Sequence, residues 1–103
     1  MKKTTTISWI LLAIAFASQK SPAGRKEISE IADGINHAVP TNRELEESIK
    51  WLIQNGIISE ANKKFSLSDY GEKLVNNANS KTNIIFEIWK NLETEINEKL
   101  KDE

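Results

Sequence analysis

The 103-residue sequence predicts one mainly α-helical domain that carries a small β-hairpin. Three observations predict this fold class. Apolar residues recur at helical spacing in several segments, including 25–35 and 82–101. Segment 57–67 instead has two short apolar runs around a polar turn at 61–64, which is typical of a hairpin. Finally, Thr41 and Ser68 stand where helix N-caps are expected.

The apolar run 7–17 allows two interpretations. The lysines before it and the small residues at its end are typical of a secretory signal peptide. Two stripes at helical spacing instead indicate a retained helix that is buried on two sides. These stripes are Ile7, Ile10, Leu11 and Ile14, and Trp9, Leu12 and Phe16. We favour the buried helix, and we expect no membrane segment because a span needs about 20 apolar residues.

A second helix is predicted over 25–35, followed by a turn that contains His37 and Pro40. A lone histidine in a turn is usually a surface group, so we assign it no role. The third helix is predicted to begin at Asn42, because Thr41 and Glu44 have the spacing of a capping box, and to end at Asn55-Gly56. Its expected buried face consists of Leu45, Ile49, Leu52 and Ile53.

After the hairpin we expect a fourth helix over 68–79, a polar break at 76–80 and a long amphipathic helix over 82–101. About 20 residues extend roughly 30 Å, which is more than a small domain requires. We therefore expect the last helix to pack on the first helix and to form a homodimer with a second copy. The predicted dimer residues are Ile85, Ile88, Trp89, Leu92 and Ile96.

Residues 7–79 resemble the winged helix-turn-helix superfamily, and within it the small bacterial PadR-like and MarR-like regulators. The matching residues are Leu45, Ile49 and Leu52, then Gly56-Ile57-Ile58, Phe65-Ser66-Leu67-Ser68 and Tyr70-Gly71. The resemblance implies a winged-helix domain over 1–80 and an added, dimerising C-terminal helix over 81–103. It also implies that the protein binds double-stranded DNA as a transcriptional regulator, with the third helix in the major groove.

The exposed face of the third helix and the hairpin tip are the expected DNA-binding surface. The predicted contacts are Thr41, Asn42, Arg43, Glu47, Lys50, Lys63 and Lys64. In the resembled regulators an arginine is common where this chain has Glu47, and Glu44, Glu46 and Glu47 together would repel phosphates. The net charge of −1 also counts against a purely electrostatic hold on DNA. The alternative is a winged-helix module that binds a protein partner instead of DNA.

The sequence does not favour an enzyme. It has no glycine-rich phosphate loop and neither an HExxH nor a GxSxG motif. It also has no cysteine, which excludes disulfides and thiolate metal sites and fits a reducing compartment. We therefore predict no cofactor, no metal site and a cytoplasmic location.

Overall fold

The computed structural model describes residues 1–101 and confirms a mainly helical fold with one two-stranded hairpin. Its elements are α1 (Lys3–Ala17), α2 (Arg25–Asn36), α3 (Asn42–Gln54), β1 (Ile58–Ala61), β2 (Lys64–Leu67), α4 (Asp69–Asn79) and α5 (Ile85–Lys101). Helix α3 has the predicted bounds. Helix α1 begins before the apolar run, and α5 begins three residues later than predicted.

Helix α1 is the centre of the core. Its eight residues from position 7 to position 14 are all buried, and α2, α3 and α5 pack around it. Eight consecutive positions cover more than two helical turns, so this part of α1 is enclosed on every side. The two buried polar side chains of this part of α1 have partners: Ser8 Oγ donates to Thr4 O at 2.8 Å, and Trp9 Nε1 donates to Ala32 O on α2 at 2.9 Å.

Both ends of α3 follow from local sequence. Thr41 Oγ1 accepts the Glu44 N–H at 3.0 Å, and Glu44 Oε1 accepts the Thr41 N–H at 2.9 Å, so the capping box is formed. At the other end Gly56 has φ +68°, a left-handed conformation that glycine adopts without steric cost. The Ile57 N–H then donates to Leu52 O at 2.9 Å, which closes the helix as a Schellman motif.

The hairpin pairs β1 and β2 in antiparallel register, from Ile58 opposite Leu67 to Ala61 opposite Lys64. Asn62 and Lys63 form its two-residue turn with φ of 56° and 62°, as the twist of a tight hairpin requires. Ala23, in the connection before α2, adds to the sheet by exchanging two backbone hydrogen bonds with Phe65 at 2.9 and 2.8 Å. The sequence did not predict this third extended segment.

Helix α5 lies against α1 and α4, and its side chains belong to the same core. Trp89 Nε1 on α5 donates to Thr5 O and to Ser8 Oγ on α1, both at 3.1 Å. The 17 residues of α5 extend about 26 Å, while the molecule measures 30 Å along its longest axis. The helix therefore does not protrude, and the predicted excess length was wrong.

None of the helices formed by residues 1–101 combines the length and the apolar character needed to cross a membrane.

Candidate nucleic-acid interface

Helix α3 exposes one continuous face, which consists of Asn42, Arg43, Glu46, Glu47, Lys50, Ile53 and Gln54. The predicted burial of Ile53 was wrong, because its residue surface is 38% exposed. Successive residues are 100° apart around the axis of α3, so its buried residues occupy an arc with Trp51 at one edge, Leu52 near the middle and Ile49 at the other edge. Ile53 lies just beyond the Ile49 edge. The large ring of Trp51 reaches the core from the opposite edge of the arc. The branched apolar side chain of Ile53 therefore lies beside the exposed polar residues of α3.

The predicted DNA-binding residues occupy two sites on the surface. Thr41 is the N-cap of α3, so its hydroxyl is already engaged by the helix backbone. Asn42 opens the helix, and Arg43, Glu47 and Lys50 follow on its exposed face. Lys63 and Lys64 are exposed at the end of the hairpin. Arg43 and Glu47 are in direct contact, with Nε and Oε1 3.0 Å apart.

Each of the three carboxylates that were expected to repel phosphates has a partner within the chain. Glu44 accepts the Thr41 N–H, and Glu47 accepts from Arg43. Glu46 accepts two hydrogen bonds from Arg25, from Nε at 2.7 Å and from Nη2 at 2.9 Å. Paired carboxylates repel an approaching phosphate less than free ones, because the partner's charge or dipole offsets part of their field.

Arg25 is a residue of this surface that sequence reasoning missed. It is the first residue of α2, and its guanidinium also lies over the ring of Phe65, 5.0 Å from the centroid. The hydrogen bond to Glu46 raises the pKa of Arg25 above its usual value despite some desolvation, and the charges of Glu46 and Glu60 act in the same direction. No local pattern connects Arg25 with Glu46, because the two residues are 21 positions apart.

A cleft of about 330 Å³ adjoins α3, between its first two turns and the start of α1. Lys3 and Arg43 both line this cleft, together with Glu44 and Glu47. Sequence reasoning treated Lys3 only as the charged flank of the apolar run. The fold instead places it beside the expected DNA-binding face, where it adds a cation to that side of the surface.

A second surface lies at the start of α5, where Ile84, Ile85 and Phe86 are 57%, 44% and 58% exposed. We call these three residues the α5 apolar patch. The Phe86 ring stacks on Trp89 with centroids 6.2 Å apart, and Trp89 in turn stacks on Trp9 at the same distance. The patch is therefore continuous with the core rather than a loose terminal segment.

The predicted dimer residues need correction in view of this patch. Ile88, Leu92 and Ile96 are buried inside their own chain, so these side chains are not available to a second copy. Ile85 is exposed and Trp89 is half-buried. Sequence reasoning missed Ile84 and Phe86 because neither falls on the helical stripe. Thr82 Oγ1 accepts the Ile84 N–H at 3.1 Å, and the helix begins only at the next residue, Ile85, so Ile84 lies outside it.

Comparisons of the chain with protein-family models, with curated proteins and with solved structures gave no match.

Proposed function

We propose that this protein is a cytoplasmic, winged-helix transcriptional regulator that binds double-stranded DNA. The observation that carries the proposal is the position of α3: one face of the helix is a continuous exposed surface, while the opposite face is fixed by α1 and by the adjoining strand β1. A helix supported in this way can enter the major groove, which is about 12 Å wide, without disturbing the core.

The order of the elements supports the winged-helix assignment. Helix α1 is followed by the extended residue Ala23, then by α2 and α3, and then by the hairpin. Ala23 pairs with Phe65 of β2, so the connection between the first two helices joins the hairpin in one small sheet. In a winged helix the hairpin is the wing, and it lies next to the recognition helix, α3 in this chain.

The exposed side chains suit complementary roles at DNA. Asn42 and Arg43, at the N-terminal end of α3, would reach base edges, where amides and guanidinium groups make bidentate contacts. Lys50, Lys63 and Lys64 would contact phosphates, and Thr41 would support the first turn. Glu47 would orient Arg43 in the free protein and release it to a base edge in the complex.

The α5 apolar patch supports a homodimer. Three consecutive large apolar residues are exposed to water there, and a contiguous apolar patch marks an interaction surface more often than scattered apolar residues do. A two-fold dimer would use the patch on both copies and would bind two half-sites of a palindromic operator. Each half-site would then need only the few cations that one copy supplies.

The alternative function is a protein-binding module without DNA affinity. It is favoured by the same α5 apolar patch and by the net charge of −1. A partner protein would cover the patch, and the paired carboxylates of α3 would remain in solvent.

Binding to a fluorescent duplex of mixed sequence at low salt separates the two functions. We expect the native protein to bind with modest affinity, and Glu47→Arg to bind more tightly because it replaces a negative charge by a positive one. If neither protein binds the duplex, the regulator proposal fails and the protein-binding module takes its place.

A further inference from the structure

The side chain of Arg25 joins three elements of the proposed DNA-binding surface. It extends from the start of α2, makes two hydrogen bonds to Glu46 on α3 and covers the ring of Phe65 on β2. Glu60 on β1 is the cross-strand partner of Phe65, and its negative charge also acts on Arg25. The guanidinium thus stands where α2, α3 and the wing meet.

The local preferences of α2 do not explain an arginine at this position. A positive charge in the first turn of a helix is opposed by the helix dipole, which favours acidic residues there. The ion pair is also partly exposed, since the Arg25 side chain is 40% exposed, and such pairs contribute little to stability. The contacts of Arg25 add little stability but connect three elements, so we explain them by the way they hold these elements relative to one another.

We propose that Arg25 is a positioning residue for DNA binding, which fixes the wing relative to α3 and keeps the Glu46 carboxylate from facing phosphates. This inference rests on the proposed function. Arg25 and Ala23 both hold Phe65, the first through the ring and the second through two backbone hydrogen bonds. Phe65 is fully buried, so its position sets the position of β2 and of the lysines at the wing tip.

The first test needs no DNA. Hydrogen exchange at the Phe65 and Ala23 amides reports directly on the link between β2 and the segment before α2, because each amide donates to the other residue. Arg25→Gln should accelerate exchange at both amides severalfold. Lys26→Gln is the matched control, since it removes the same charge from the next, exposed residue, which makes no ion pair within residues 1–101. Unchanged exchange in Arg25→Gln would overturn the proposed role.

The second test measures DNA affinity against salt concentration. A positioning residue does not itself touch phosphate, so Arg25→Gln should weaken binding about tenfold at each salt concentration with little change in salt slope. Adding Glu46→Gln should recover part of the loss, because it removes the carboxylate that Arg25 had neutralised. Lys26→Gln should leave affinity within about twofold of the native value.

Two results of this second test would also overturn the role of Arg25 while leaving the proposed function intact. One is native affinity in Arg25→Gln, and the other is a slope lowered by about one, which would make Arg25 a direct phosphate contact. If the native protein binds no duplex at low salt, the proposed function fails, and the role of Arg25 in DNA binding fails with it.

Discussion

Gly71 on α4 packs directly against the backbone of Ile57, at a distance where an added Cβ atom would overlap the Ile57 carbonyl oxygen. That oxygen also accepts the Ser68 N–H at 3.0 Å and is within reach of Ser68 Oγ at 2.9 Å. Ser68 Oγ in turn accepts the Gly71 N–H at 3.0 Å and so caps α4. The start of the hairpin and the start of α4 therefore form one tightly packed junction.

We predict that Gly71→Ala destabilises the protein by about 1–3 kcal/mol, because a methyl group cannot be accommodated against a backbone atom unless α4 moves. Urea denaturation followed by tryptophan fluorescence would measure the change in the free energy of unfolding. Gly34→Ala on α2 is the matched control. A Cβ atom at position 34 meets nothing within 4 Å, so this change should stabilise the helix by about 0.5–1 kcal/mol. Equal stability of the two variants would contradict the described junction.

The parts of the fold that were predicted correctly have local signals. The bounds of α3 follow from Thr41, Glu44 and Gly56, which act within a few residues of the helix ends. The hairpin turn is local in the same sense. The pairing of Ala23 with Phe65 and the ion pair of Arg25 with Glu46 join residues far apart in the chain, and no periodic pattern marks such contacts. These two contacts form only when the elements pack together, so no local pattern in the sequence predicts them.

The wrong predictions for the surfaces of α5 and α3 also arise because a local pattern does not report contacts between distant parts of the chain. Periodicity identifies the apolar stripe of α5 but does not show whether that stripe faces the chain's own core or a second copy. Ile88, Leu92 and Ile96 fill the core, and the apolar surface that remains at this end of α5 is the α5 apolar patch, in which Ile84 and Phe86 lie off the stripe. On α3, periodicity alone predicted that Ile53 is buried. The residues that α1 and β1 cover do not extend as far as Ile53, which is exposed.

We predict that the protein is a dimer and that Phe86→Ser converts it to a monomer without unfolding it. Burying a phenylalanine contributes about 1.5–3 kcal/mol, and a two-fold interface contains each residue twice. Light scattering should report twice the 11.7 kDa chain mass for the native protein and the single mass for the variant. Val39→Ser serves as the control, because Val39 is a large apolar residue that is even more exposed than Phe86 but lies outside the α5 apolar patch. A native protein that is already monomeric would contradict the prediction.

The contact between Arg43 and Glu47 leads to a prediction about DNA affinity. Exposed pairs at i and i+4 contribute only about 0.3–0.5 kcal/mol, so a base edge can replace Glu47 as the partner of Arg43. We therefore expect Glu47→Gln to lower stability by less than about 0.5 kcal/mol and to increase DNA affinity. Fluorescence anisotropy with a labelled duplex would measure the affinity, with Glu98→Gln on α5 as the control. Weaker binding by Glu47→Gln on particular sequences would instead assign Glu47 a direct contact with a base.

The last prediction concerns the tip of the hairpin. Lys63 and Lys64 are exposed at the hairpin end, and the backbone of Lys63 is left-handed with φ of 62°, so the tip is held by a tight turn and not by the side chains. Changing both residues to glutamine should therefore leave the fold intact and remove two phosphate contacts per chain. Counterion release predicts that the slope of log affinity against log salt falls by about 0.9 for each lost contact, to the same extent on every DNA sequence. Lys73→Gln with Lys81→Gln is the control, because it removes two exposed lysines from elsewhere on the chain. A slope that stays at its native value when both hairpin lysines are removed would show that the hairpin tip does not lie on the DNA backbone.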